Sequence, residues 1–186
     1  IIRGTDIPTL KNGDIGKVPI RWVQPKKLAT RELFEGDIVI EISGGSPKRP
    51  TGRSLMVTKN IIDRLGGVVE PASFCRLFRP LSAEKGVFAA LHLNHIYDKG
   101  KMWQYQNQST GISNFQTKVF LDTEYCAIPN QKLILSRFND MVKPFLDKAT
   151  NNEIIELSSL RDPHLPKLIS GELRVPEAEA LIEKES

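Results

Sequence analysis

The sequence LSSLRDPHLPKLISGELRV, from Leu157 to Val175, closes a long stretch of helical spacing that begins near Pro129. In that stretch an apolar side chain recurs every three or four residues up to Ala149 and again from Ile154, after the polar Asn151 and Asn152, a pattern that predicts one apolar face along a helix. The members of this stripe are Leu135, Phe138, Val142, Phe145, Ala149, Ile154, Leu157 and Leu160. Such a face needs a partner surface, which is either the chain's own globular part or another helix.

Prolines divide the predicted helical stretch. Pro144 would clash in a helix interior but suits a first turn, so we expect a short helix from about Gln131 and a longer one from Pro144. Pro163 and Pro166 should end the second helix near Leu165. About 20 residues at a rise of 1.5 Å span roughly 30 Å, which is enough to hold two globular bodies apart.

Four stretches, in order, resemble the specificity subunit of type I restriction-modification enzymes. Residues 3–7 (RGTDI) resemble the opening of a target recognition domain, and residues 35–40 (EGDIVI) resemble its mid-domain strand. GISNF at 111–115 and IPNQ at 128–131 resemble the segment that leads into a conserved helix. The closing motif matches at Leu160, Arg161, Asp162, Leu165, Pro166, Lys167, Leu168, Ser170, Gly171, Glu172 and Leu173. The resemblance covers nearly the whole chain.

The resemblance implies an α+β fold. It predicts a globular DNA-recognition domain of short, mostly antiparallel strands with peripheral helices, followed by a long C-terminal coiled-coil-type helix. The implied boundaries are a target recognition domain at 1–128, a conserved spacer helix with its closing motif at 129–175, and a polar tail at 176–186. The residues expected at the helix and partner interface are Phe145, Leu157, Leu160, Arg161, Leu165 and Leu168.

The family also implies a function. Each recognition domain binds one half of a split site in double-stranded DNA. The conserved helices pair antiparallel with a second half, in the same chain or in a dimer, and dock methyltransferase (modification) subunits and through them the restriction subunit. Those partners bind S-adenosylmethionine and methylate adenine, so we expect no cofactor in this chain. We also expect no catalysis, since the chain has no glycine-rich cofactor turn and no Asn-Pro-Pro-aromatic motif.

Two alternatives remain at this stage. The first alternative to a type I specificity subunit is a recognition domain cut from a fused restriction and methyltransferase polypeptide. The second, from another class, is a stand-alone DNA-modifying enzyme. Against the enzyme, no constellation of carboxylate, Lys or His residues has a workable spacing. Asp37 and Glu41, for example, would lie roughly 13 Å apart along a strand, too far for a cooperating acid and base.

Composition narrows the class further. The chain has 186 residues and 40% apolar content, enough for one good core. It has no run of 18 apolar residues, no visible leader and only Cys75 and Cys126, which together favour a reduced cytoplasm. Because the chain begins with Ile1, we expect a fragment of a longer protein. His92 and His95 could share a helix face, but nothing completes a four-ligand metal site, so we expect none.

Positive charge concentrates in the globular part. Residues 1–128 carry 18 Lys and Arg against 12 Asp and Glu, a net charge of +6, whereas residues 129–186 have a net charge of −2. This segregation favours a polyanion as the partner of the globular part.

Two segments are candidates for DNA contact. The loop GGSPKRPTGRS at 44–54 lacks the spacing of a phosphate-binding nucleotide loop, but a mobile loop bearing Lys48, Arg49 and Arg53 suits DNA phosphates or a guanine edge. A solvated turn is its alternative. The second segment is rich in amides, and its candidates are Lys99, Lys101, Gln104, Tyr105, Gln106, Asn107 and Asn114. Asn and Gln can pair with adenine, although polar loops without this role are common.

The rest of the globular part is predicted more coarsely. DIVIEIS at 37–43 alternates and predicts a half-buried strand whose carboxylates are solvated. Residues 60–66 predict a short helix and 118–128 a strand, whereas 74–81 and 86–96 supply core as strands or as a strand and a helix. Trp22 is expected in the core rather than as a platform for stacked bases.

Overall fold

A computed structural model of the chain describes residues 1–44, 46, 48–109, 112–172 and 174, without the side chains of 108, 109, 112 and 154–156. Within them, the helices are α1 (Ile7–Lys11), α2 (Pro25–Arg31), α3 (Lys59–Arg64), α4 (Ala83–Asp98), α5 (Thr117–Thr123), α6 (Lys132–Ala149), α7 (Glu153–Ile169) and one 3-10 helix (Lys101–Tyr105). The strands are β1 (Ile38–Glu41), β2 (Ser54–Met56), β3 (Cys75–Phe78), β4 (Gln106–Ser109) and β5 (Ile112–Phe115). This mixture of helices and small antiparallel sheets is consistent with the α+β prediction.

Strand β1 is the centre of the three-stranded sheet. It pairs antiparallel with β2 on one side and with β3 on the other. Val39 points into one apolar cluster, together with residues of α1 and α3, and Ile38 and Ile40 point into a second cluster with α4. Because helices cover both faces, all four residues of β1 are buried, and the prediction of a half-buried strand was wrong.

The carboxylates at the two ends of β1, one just before the strand and one at its last residue, are buried. Asp37 and Glu41 are 3% and 2% exposed, so their prediction as a solvated face was wrong. Each accepts two hydrogen bonds from an arginine, Arg79 for Asp37 and Arg53 for Glu41. A buried carboxylate is tolerated when a paired cation satisfies its oxygens.

Helix α4 settles the ambiguous segment 86–96. Ser82 caps it by accepting a hydrogen bond from the amide of Lys85 at 3.4 Å, as short hydroxyl side chains commonly do at helix starts. Its buried face, which includes Ala90, Leu93 and Ile96, packs into the second apolar cluster. The short helix predicted at 60–66 is confirmed as α3, and the 74–81 segment contains β3.

Two further predictions for the globular part were wrong. Residues 117–123 form helix α5, not a strand, and the helix buries Thr117 and Phe120 while Val119 and Leu121 are exposed. The alternating Val119 and Leu121, which predicted a strand, therefore lie on the solvent-exposed side of this helix. Trp22 is fully exposed and lies outside both apolar clusters.

Helix α6 contains Pro144 in its interior, so the expected break at that residue was wrong. Proline removes one hydrogen bond, to the carbonyl of Asp140, and both residues are exposed, so water can satisfy the freed carbonyl. The inner face of α6 packs on α4, where the rings of Phe138 and Phe88 have centroids 4.4 Å apart. Lys143 of the same helix bonds the carboxylate of Glu35 at 2.9 Å.

The chain divides into two compact units, Ile1–Asn151 and Asn152–Ser186. The second contains α7, which continues through Pro163 and Pro166 to Ile169, so the expected stop at these prolines was wrong. The longer helix expected from Pro144 to about Leu165 is divided between the end of α6 and most of α7. Leu173 and residues 175–186, which include the end of the closing motif and the predicted polar tail, lie outside the described residues.

None of the described helices is both long enough and apolar enough to cross a membrane.

Candidate nucleic-acid interface

The basic loop between β1 and β2 is closed at its base by backbone hydrogen bonds. The amide of Glu41 donates to the Arg53 carbonyl at 2.8 Å, and the amide of Gly52 donates to the Glu41 carbonyl at 3.0 Å. At its tip, Ser46 and Arg49 exchange two backbone hydrogen bonds of 2.8 and 3.0 Å. The described part of the loop is therefore held by backbone hydrogen bonds at its base and at its tip.

Lys48 and Arg49 stand at this tip. Both side chains are exposed, and neither has a hydrogen-bond or ion-pair partner within the part of the chain that the structure describes. An unpaired exposed cation loses little when it exchanges water for a phosphate oxygen. Gly45 and Pro47 of the same loop lie outside the described residues.

Arg53, the third predicted cation of the loop, points into the molecule. Its side chain is only 9% exposed and lies 2.6 Å from the Glu41 carboxylate, which is itself 3% exposed. Gly4 packs so closely on that carboxylate that a Cβ atom there would lie 2.6 Å from its Oε1. Arg53 thus holds the base of the loop.

The amide-rich segment forms a two-stranded antiparallel hairpin, β4 and β5. Asn107 lies directly opposite Asn114 in the register, and both side chains are exposed. On the other face Phe115 is buried in the second apolar cluster and packs against the Phe120 ring. The hairpin therefore has one polar face, with two amide side chains opposite each other, and one inner face that packs on the core.

Hydrogen bonds join the basic loop to the hairpin. The Gly44 amide donates to the Ser113 carbonyl at 3.2 Å, and the Ser43 hydroxyl donates to Oδ1 of Asn114 at 2.8 Å. At the other end of the loop, the Thr51 hydroxyl donates to Oε1 of Gln106 at 2.5 Å. Two segments more than 50 residues apart in sequence therefore form one surface.

We name this the loop–hairpin surface, and its exposed members are Lys48, Arg49, Gln104, Asn107 and Asn114. Lys99 is exposed at the end of α4, shortly before the 3-10 helix that carries Gln104. Tyr105 and Gln106 were also predicted to contact DNA, but their side chains make hydrogen bonds within the chain. Tyr105 is 5% exposed, and Gln106 donates to the Met102 carbonyl at 2.8 Å.

Lys101, the remaining candidate, belongs to a polar network that the sequence does not reveal. The Glu124 carboxylate accepts hydrogen bonds from Tyr105 at 2.5 Å and from His92 at 2.8 Å, and it pairs with Lys101 at 2.6 Å. Burial by itself raises the pKa of Glu124, but the three donors outweigh it and leave the pKa below its ordinary value. The network ties the end of α5 to α4 and to the base of the hairpin.

The histidines and Cys75 have separate surroundings in the described part of the chain. Within the described residues, no group of three His, Cys, Asp or Glu side chains could hold a metal ion. His92 is engaged with Glu124, and His95 is exposed. Burial raises the pKa of Cys75 to about 12, so its thiol stays protonated and is a poor nucleophile.

Comparisons with known proteins give a partial match. No protein-family model matches the chain. The type I restriction enzyme MjaIX specificity subunit of Methanocaldococcus jannaschii is 44% identical over 59 residues, which are 31% of this chain and 13% of that protein. This match supports a domain similar to those of specificity subunits.

Proposed function

We propose that the chain recognises DNA as part of the specificity component of a type I restriction-modification system. The observation that carries the proposal is the loop–hairpin surface, in which a loop with unpaired exposed cations is hydrogen-bonded to a hairpin with exposed amides. The 44% identity to a specificity subunit over 59 residues supports it. Because that match covers only 13% of the relative, the partners and the assembly named below belong to the proposal as well.

The hairpin is the part that would contact base edges. A two-stranded β-ribbon fits the major groove of DNA, where Asn and Gln can form two hydrogen bonds with adenine. Residues directly opposite in an antiparallel pair have Cβ atoms about 5 Å apart, so Asn107 and Asn114 can contact the same or neighbouring base pairs. The Ser43 hydroxyl occupies Oδ1 of Asn114, which leaves its amide N–H groups to donate.

The loop cations would fix the position of the hairpin along the DNA. Lys48 and Arg49 lie on the tip of a loop whose base is hydrogen-bonded to β5, so the loop and the hairpin would meet DNA together. Phosphate contacts position a protein on DNA, whereas base contacts give sequence preference. Lys99 would add a further phosphate contact, while Arg53 acts from within by holding the loop.

The helices after the recognition domain would provide assembly. We propose residues 1–128 as the recognition domain and the helices within 129–175 as the spacer that pairs, as a coiled coil, with a second recognition half and docks methyltransferase subunits. The proposed contact residues are Phe145, Leu157, Leu160, Arg161, Leu165 and Leu168, whose apolar members are all at least 39% exposed. S-adenosylmethionine would be bound by the methyltransferase, and this chain would bind no cofactor and catalyse no reaction.

The test is a selection from random duplex DNA with the native chain and with two variants. Asn107→Ser with Asn114→Ser should change the selected sequence while leaving affinity for unrelated DNA nearly unchanged. Lys48→Ala with Arg49→Ala should keep the selected sequence and reduce the slope of log K against log salt by about 1.8, since each phosphate contact contributes about 0.9.

Charge removal by itself needs a control. Lys132→Ala with Arg137→Ala removes two exposed cations of α6 and should leave the salt slope near its native value. Equal enrichment of every sequence by the native chain would refute the proposal. Methyl transfer by the purified chain alone would refute its non-catalytic role.

A further inference from the structure

A second cationic surface lies on the segment between α1 and α2. From Ile15 to Arg31 the sequence contains five Lys and Arg residues and no Asp or Glu. Four of them, Lys17, Arg21, Lys26 and Lys27, are exposed, and their charged groups have no hydrogen-bond or ion-pair partner within the residues that the structure describes. A run of 17 residues without a carboxylate leaves these charges uncompensated locally.

Two apolar side chains stand among these cations. Ile20 is 98% exposed and Trp22 is fully exposed. Burial of a tryptophan side chain is among the larger apolar gains available to a protein, so a Trp that packs on nothing in its own chain favours a contact with another molecule. We call Lys17, Ile20, Arg21, Trp22, Lys26 and Lys27 the Trp22 surface.

The backbone that carries the Trp22 surface is anchored on both sides. Ile15 and Val18 pack against the first apolar cluster, and Arg3 donates a hydrogen bond to the Lys17 carbonyl at 3.0 Å. At the end of α2, Arg31 donates to the Pro71 and Ala72 carbonyls at 2.6 and 3.1 Å. The cations and Trp22 are therefore presented on a fixed support.

We propose that the Trp22 surface binds the phosphate backbone of DNA, as a second contact besides the loop–hairpin surface. Four unpaired cations in 11 residues suit a polyanion with regularly spaced charges, and protein–protein interface cores are depleted in lysine. Trp22 would lie against a sugar or base edge, where its ring excludes water beside the phosphates. The inference rests on the proposed DNA recognition, but it requires only contact with the backbone.

Trp22 itself can report the contact. The chain contains two tryptophans, Trp22 and Trp103, so the Trp103→Phe variant has Trp22 as its single tryptophan. Acrylamide, a neutral quencher, measures how accessible that ring is. When saturating duplex DNA with the selected sequence is added to this variant, the Stern–Volmer constant should fall at least twofold.

Charge removal gives the second measurement. Lys17→Ala, Arg21→Ala, Lys26→Ala and Lys27→Ala together should reduce the slope of log K against log salt by up to about 3.6 and leave the selected sequence unchanged. The matched control, Lys85→Ala, Lys118→Ala, Lys132→Ala and Arg137→Ala, removes the same charge from exposed positions elsewhere. Its slope should stay close to the native one.

Unchanged quenching of Trp22 in the presence of saturating DNA would overturn the inference. Protection of Trp22 by a purified methyltransferase subunit and not by DNA would overturn it too, and would assign the surface to an acidic protein partner. These failures leave the sequence preference of the native chain intact and are therefore distinct from failure of the proposed function. Protection of Trp22 by every duplex without any sequence preference would uphold the inference and refute sequence recognition.

Discussion

Arg53 donates two hydrogen bonds to the Glu41 carboxylate, from Nε to Oε2 at 2.8 Å and from Nη2 to Oε1 at 2.6 Å. The two residues stand at opposite ends of the basic loop, and both are buried. The ion pair therefore closes the loop from inside, while Lys48 and Arg49 remain outside on its tip. Removing one partner would leave an uncompensated charge in the interior.

We predict that Arg53→Met lowers the free energy of unfolding by about 3–5 kcal/mol, the usual cost of breaking a buried ion pair. Urea denaturation followed by circular dichroism measures it. The double variant Arg53→Met with Glu41→Met should be more stable than the single one, because no charge then remains buried. A single variant within about 1 kcal/mol of the native chain would show that water reaches Glu41.

Gly4 gives a second prediction about the same carboxylate. A Cβ atom at this position would lie 2.6 to 2.8 Å from Oε1, Cδ and Cγ of Glu41, and Arg53 prevents the side chain from moving away. Gly4→Ala should therefore lower the free energy of unfolding by about 1–3 kcal/mol, as overpacking does.

A double-mutant cycle isolates this contact. In a Glu41→Ala background the three clashing atoms are gone, so Gly4→Ala should cost nearly nothing there. If Gly4→Ala costs the same with and without the Glu41 side chain, the close approach is not the cause of the loss.

The Glu124 network predicts a dependence on acid. The folded-state pKa of Glu124 lies below its ordinary value of 4.5, so its stabilisation is present above about pH 4.5 and is lost as pH falls through the folded value. Lys101 stays protonated throughout, because its hydrogen bond to Glu124 raises its pKa. The difference in free energy of unfolding between the native chain and Glu124→Gln should shrink from pH 5 to pH 3.

Asp122→Asn is the matched control for this series. Asp122 is exposed on α5 and its side chain has no partner within the described residues. Its difference from the native chain should stay small and nearly constant over the same pH range. A Glu124→Gln difference that grows in acid would reverse the sign of the predicted pKa shift.

The last prediction concerns α7. Leu157 and Leu160 are each 58% exposed, and charging both would place unpaired charges against apolar surface in any helix pairing. Leu157→Glu with Leu160→Glu should abolish association with a second recognition half and with the methyltransferase subunit. Circular dichroism of the Ile1–Asn151 unit and its DNA binding should stay near native.

Sedimentation of mixtures measures this association. Ser158→Glu with Ser159→Glu adds the same charge to the same helix and should leave association largely intact. If both double variants assemble equally well, α7 does not provide the contact; if the Leu variant unfolds the whole chain, the spacer role fails.

Local patterns predicted the elements whose own residues determine them. The strand at 37–43 and the helix at 60–66 have strong periodicity or a clear end at glycine, and both are present. The burial of Asp37 and Glu41 was not predictable from alternation, because the cations that permit it lie 42 and 12 residues further along the chain. Only the folded sheet brings those charges together.

The candidate site was predictable as composition but not as geometry. Lys48, Arg49, Asn107 and Asn114 were singled out by residue type, and all four side chains are exposed. Arg53, Tyr105 and Gln106 were singled out by residue type as well, yet each side chain is hydrogen-bonded to a partner within the chain. Whether a polar residue faces solvent depends on the register of its strand and on distant neighbours, neither of which a short sequence window contains.

The hydrogen bonds between Ser43, Gly44 and Thr51 of the loop and Asn114, Ser113 and Gln106 of the hairpin have a consequence for transplantation. A graft that moves only residues 106–115 into another scaffold would leave these donors and acceptors without partners and would lose the spacing to Lys48 and Arg49. The smallest transferable unit is the pair of segments 41–53 and 101–124, of which the first has the ion pair of Glu41 and Arg53 at its two ends. Transfer of the proposed DNA preference to another scaffold should accordingly require both segments, and a graft of either one alone should produce a chain that folds but does not discriminate between sequences.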